Sequence, residues 1–81
     1  MTLSTSTLAE RIRTARTLAG LSQLQLASVA GLGLQTVFRL ENGRAEPRPG
    51  TMAAVAKAVG VTTLWLASGT GPGPTDTTTQ A

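Results

Sequence analysis

The sequence predicts an all-α fold, a compact bundle of five short helices. Three observations predict it. Apolar residues recur three and four positions apart along most of the chain, the spacing that lines one face of a helix. Gly20, Gly31, Gly43, Gly60 and Gly69 each follow such a run, where helices commonly stop. Little reads as a strand, since Val59-Gly60-Val61 alone resembles part of one.

The first helix is expected from Thr7 to Ala19, with Leu8, Ile12, Ala15 and Ala19 on its apolar face and Gly20 closing it. Ser22 and Gln25 have capping-box spacing: the hydroxyl takes an unpaired N–H and the Gln side chain reaches back. They open a second helix that buries Leu26, Ala27 and Ala30 and ends at Gly31. Gly31-Leu32-Gly33 is a tight turn in which Gly31 takes a positive φ cheaply and Leu32 drops between the helices. A third helix runs from about Leu34 to Asn42. The segment 44–50, RAEPRPG, reads as a loop. Thr51 then caps a fourth helix with Met52, Val55, Ala56 and Val59 inward, and Thr62 or Thr63 starts a fifth, Leu64-Trp65-Leu66-Ala67. Trp65 is read as core, and Arg11 and Arg13 as solvent-facing.

Composition narrows the chemistry. Of 81 residues, 41% are hydrophobic, enough for the core of one small domain. With no cysteine or histidine, the chain has no thiolate, no disulfide, no zinc finger and no imidazole base. Its carboxylates, Glu10, Glu41, Glu46 and Asp76, are scattered, so an enzyme, a metal site and a cofactor are not expected. No apolar run approaches the roughly 20 residues that span a bilayer, and no basic leader precedes an apolar stretch, so a soluble cytoplasmic protein is expected. The formal charge is +3, and the one carboxylate of the last twelve residues is Asp76. Residues 1–6 are expected to be a flexible arm, 7–69 the folded domain, and 70–81, rich in Gly, Pro and Thr, a disordered tail. With a tail that short, no sensor domain is expected on this chain.

Two helices of about eight residues joined by a glycine-containing turn have the geometry of a helix-turn-helix that reads DNA. Placing the third helix's residues 100° apart turns Val37 and Leu40 inward with Glu41 beside them. Gln35, Arg39 and Asn42 point the other way, flanked by Thr36 and Phe38. Gln makes paired hydrogen bonds to adenine and Arg to guanine in the major groove, and Gln35 and Arg39, four apart, share a face. An inward Glu41 is costly unless paired, and Arg16 borders the apolar stripe of the first helix.

From Leu8 to Gly69 the chain resembles the phage repressor/Cro-type (XRE) helix-turn-helix family. The markers are Leu8-Ala9-Glu10-Arg11-Ile12-Arg13 with Arg16, then Gly20-Leu21-Ser22-Gln23, Leu26-Ala27, Gly31 and Arg39-Leu40-Glu41-Asn42-Gly43. Ala58-Val59-Gly60-Val61 and Leu64-Trp65-Leu66 complete the ordered set. The resemblance implies that Gln23 holds a DNA phosphate and that Asn42 donates to the backbone. It also implies that Gly33, Leu34, Gln35, Thr36 and Arg39 vary with the operator, that Arg16 and Glu41 form a buried salt bridge, and that Leu64 and Leu66 lie at a dimer contact.

Some positions depart from the pattern. Leu34 and Phe38 replace polar residues often found near the base edges, which suits thymine methyl groups. Gly33 brings no side-chain oxygen to the N-cap of the third helix. Arg44 and Arg48 are candidate backbone contacts, but Glu46 and two prolines share their loop.

The expectation is a sequence-specific regulator of double-stranded DNA, a repressor bound as a homodimer to a palindromic operator, with no small-molecule substrate. Two other readings stay open: an antitoxin-type autoregulator that also binds a protein partner such as a toxin, served by Phe38 and the tail, and an interaction module without DNA readout.

Overall fold

A computed structural model of the chain describes residues 7–71, 73 and 74. Among them are five helices and no strand: α1 (Leu8–Leu18), α2 (Gln23–Ala30), α3 (Leu34–Glu41), α4 (Pro49–Val59) and α5 (Thr63–Ser68). No described helix is long and apolar enough to cross a membrane.

Local signals account for most helix ends. Thr7 and Glu10 form a capping box at α1: Glu10 N donates to Thr7 Oγ1 (3.1 Å) and Thr7 N to Glu10 Oε1 (3.3 Å). Ser22 and Gln25 do the same at α2, at 3.0 and 2.8 Å. Gly31, Gly60 and Gly69 follow α2, α4 and α5 with φ between 71° and 79°, the left-handed conformation glycine adopts most readily. Helix α1 stops one residue sooner than expected, so Ala19 is an exposed cap and not part of the apolar face.

Helix α4 departs more. It starts at Pro49 behind an Arg48 N-cap, not at a Thr51 cap, and Gly50 lies in its first turn. A proline at the first helical position loses nothing, because its missing N–H would have had no partner and its φ is already helical.

Helix α1 packs on α3 and α5, α2 packs on α3 and α4, and α4 packs on α5. The core they enclose is Ile12, Ala15, Leu26, Ala27, Val37, Leu40, Val55, Ala56, Val59, Trp65 and Leu66. Each large aliphatic side chain buried there contributes about 1.5–3 kcal/mol.

Two expectations are corrected in this core. Arg11 does not face solvent: it is 6% exposed, with Nε 2.8 Å from the Leu66 carbonyl oxygen and Nη2 2.9 Å from that of Ala67. These are last-turn carbonyls of α5, so a cation there complements the helix dipole. Leu66, expected at a dimer contact, is 0% exposed and offers no side-chain surface to a second subunit. The α5 stripe that meets the core falls on Trp65 and Leu66, which leaves Leu64 outside, 61% exposed.

Of the segment expected to be a disordered tail, Thr70, Gly71, Gly73 and Pro74 are described. Gly73 and Pro74 are half-buried, and a Cβ at Gly73 would stand 3.0 Å from Trp65 Nε1. Residues 1–6, 72 and 75–81 lie outside the described residues, and with them the expected arm and most of the expected tail.

Candidate nucleic-acid interface

The turn between α2 and α3 is built from its sequence. Gly31 reverses the chain at φ 71°, ψ 32°, which lets Leu32 N reach back 2.8 Å to the Ala27 carbonyl while the Leu32 side chain packs against the core. Gly33 is extended and opens α3 with no side-chain cap. Its carbonyl accepts from Thr36 N at 3.1 Å and Val37 N at 3.3 Å. Val37 and Leu40 anchor α3 to the core through one face, so its opposite face is presented outward.

That outer face carries the candidate reading residues. Gln35, Arg39 and Asn42 are exposed, Leu34 and Thr36 half-buried, and Phe38 is 40% exposed. The polar ends of Gln35 and Arg39 are held by no other side chain among the described residues. They are therefore open to base edges, where Gln and Arg are the side chains with paired donors and acceptors.

Behind this face sits a buried acid. Glu41 Oε2 accepts from Arg16 Nε at 2.6 Å, and its Oε1 accepts from Arg16 Nη2 at 3.1 Å. The guanidinium thus grips the carboxylate with two parallel bonds and ties α3 to α1. Arg16 also donates from Nη1 to the Leu21 carbonyl (2.9 Å), fixing the chain just before α2. Two further side chains join the cluster that sequence reasoning does not place there. Gln23 Nε2 donates to Glu41 Oε1 at 3.1 Å, and Arg13 Nη2 donates to the Glu41 carbonyl oxygen at 3.1 Å with its Nε 3.7 Å from Oε1. No spacing rule signals either contact, because they join residues 18 and 28 positions apart on different helices. Two guanidiniums around one carboxylate leave a net positive charge.

Gly43 and the loop to α4 continue from the C-terminus of α3. Arg44 N donates to the Arg39 carbonyl at 2.9 Å, which turns the chain at Gly43, φ 71°. Arg44 and Arg48 are exposed, as is Glu46 between them. Of the polar candidates, Gln23 and Glu41 are brought into direct contact, while Gln35, Arg39, Asn42, Arg44 and Arg48 stand apart as exposed groups.

Known proteins share this geometry. A helix-turn-helix family model matches residues 12–66, from α1 to α5. The P22 c2 repressor, solved with a synthetic operator, is 26% identical over 82% of this chain and 100% of its own, with a TM-score of 0.77. The restriction-modification controller protein C.AhdI from Aeromonas hydrophila is 30% identical over 73% of this chain and 89% of its own, at 0.70. A hypothetical transcription factor, NHTF, from Neisseria is 31% identical over 75% of this chain and 70% of its own, at 0.71. With an ordered set of sequence markers, five helices and a matched family model in agreement, this chain belongs to the repressor/Cro-type (XRE) family of helix-turn-helix proteins.

Proposed function

We propose that this protein is a sequence-specific double-stranded DNA-binding transcriptional regulator that acts as a repressor, bound as a homodimer to a palindromic operator. The observation that carries the reading is the outer face of α3, where Gln35 and Arg39 stand exposed and unengaged on a helix anchored to the core by Val37 and Leu40. In the major groove these two read base edges, with Gly33, Leu34, Thr36 and Phe38 around them shaping which bases fit. Gln23 and Asn42, with Arg44 and Arg48, contact the phosphates that supply sequence-independent affinity. The P22 c2 repressor, solved with a synthetic operator, supports the same partner class for this chain. One such module spans few base pairs, so two copies bind half-sites about one helical turn apart. Leu64 is the residue offered for the subunit contact.

Selection of bound duplexes from a random library, followed by a salt titration on the enriched sequence, tests this. A two-fold symmetric motif whose affinity falls steeply with salt is the expected result. Salt-dependent binding without an enriched motif removes the sequence-reading function. Phe38, 40% exposed on α3, then favours the reading as an interaction module without DNA readout, tested by its substitution to alanine.

A further inference from the structure

Gln23 is the first residue of α2, so its backbone N–H and that of Leu24 have no carbonyl one turn back to donate to. This is where the DNA reading places a phosphate. The Gln23 side chain is not left to swing there. Its Nε2 donates to Glu41 Oε1 at 3.1 Å, and Glu41 is itself buried and held by the two bonds from Arg16. An acceptor fixed this firmly fixes the amide that bonds to it.

We propose that Glu41 is a positioning residue for the phosphate contact of Gln23. It holds the amide by one N–H and leaves the second N–H of Nε2, with the first-turn N–H groups of α2, as a preformed donor set for one DNA phosphate. The proposal rests on the DNA-binding reading above. It makes a counterintuitive demand, because an acid near a phosphate should by charge alone weaken binding. Glu41→Gln raises the formal charge of the chain from +3 to +4. It also makes Arg16 and Gln23 compete for a single oxygen. Charge alone then predicts tighter binding, and positioning predicts weaker binding.

The test is a double-mutant cycle with Gln23→Ala, Glu41→Gln and the two together, on the duplex selected for the wild-type chain. Affinities are read at several salt concentrations, at a temperature where circular dichroism shows all four proteins folded. Gln23→Ala is expected to weaken binding about tenfold, the effect of one hydrogen bond to a charged group. Glu41→Gln is expected to weaken it comparably, and the double variant no further than the weaker single one. The salt slope stays unchanged throughout, since a neutral amide releases no counterion. Penalties that multiply, or tighter binding with a steeper slope in Glu41→Gln, overturn the proposal. Should Glu41→Gln not fold, Glu41→Asp replaces it in the cycle, because it keeps the carboxylate's charge while drawing it back by one methylene from Gln23 and Arg16 alike. If the wild-type chain selects a duplex and Gln23→Ala binds it equally well, the proposal falls and the DNA reading stands. If no duplex is bound at all, the DNA reading falls first and takes the proposal with it.

Discussion

Arg11 and Leu66 are joined across the whole fold: the guanidinium Nε of a residue near the start of α1 lies 2.8 Å from the carbonyl oxygen of a residue near the end of α5. With Nη2 on the Ala67 carbonyl, the side chain closes the C-terminus of α5, a helix too short to hold itself. Arg11→Met should keep the packing and strand both acceptors, which costs about 2 kcal/mol. In a domain of this size that lowers Tm by about 10 °C. Arg11→Lys should recover only part of the loss, because one ammonium does not reproduce the planar fork. A thermal melt of the three proteins decides it, and equal midpoints would remove the capping role.

Glu41→Ala should cost on the order of 3 kcal/mol by stranding Arg16, whose side chain is only 16% exposed. Arg16→Met should cost at least as much, because it leaves a fully buried carboxylate with weaker partners. Gln23→Ala, which leaves the bidentate pair intact, should change stability far less. Chemical denaturation ranks the three, and an unaltered midpoint for Glu41→Ala would sink the assignment of this pair to the fold.

On the recognition helix, Gln35→Ala and Arg39→Ala should each raise Kd for the selected duplex about 10- to 100-fold, with little change for a scrambled one. Arg44→Ala and Arg48→Ala should instead weaken both duplexes alike and lower the salt slope by about 0.9 for each phosphate no longer neutralised. Titrations on the two duplexes separate reading from holding. Equal losses on both for Gln35→Ala and Arg39→Ala would mean that α3 does not read sequence.

Gly69 and Gly60 make a matched pair, with φ of +79° and +76° at the ends of α5 and α4. A Cβ at Gly60 would meet nothing within 4 Å, whereas one at Gly69 would stand 3.3 Å from Arg11 Nη1. Both alanine variants carry about 1–2 kcal/mol of left-handed strain. Gly69→Ala should melt lower than Gly60→Ala by the cost of displacing the Arg11 guanidinium. Identical melts would show that the guanidinium yields freely.

What is legible in the sequence follows from range. Ser22 and Gln25, three residues apart, announce the start of α2, and Gly31 and Gly60 announce ends, because each acts within one helical turn. Periodicity alone turns Val37, Leu40 and Glu41 inward, where the structure has them buried. The box at Thr7 and Glu10 carries the same kind of signal as that at Ser22 and Gln25, and the sequence reading passes over it. Arg11 escapes for a different reason: its partners lie 55 and 56 residues away, and a helical wheel shows only which way a side chain leaves its own axis. Leu64 and Leu66 look equivalent in sequence, and only the packing of α5 onto α1 and α4 separates the surface residue from the core one. The bond from Gln23 to Glu41 depends on how three helices converge, which no local pattern encodes.

The burial of Trp65 has a practical consequence. It is the chain's single tryptophan, it is 7% exposed, and a Cβ at half-buried Gly73 would stand 3.0 Å from its indole nitrogen. Intrinsic fluorescence excited at the red edge of indole absorption therefore comes from one probe that needs no label. Its emission maximum reports the loosening of α5 from the bundle. Because the indole is buried in the core, a spectral change when a duplex is added would report an effect reaching α5 and not a ring stacked on DNA.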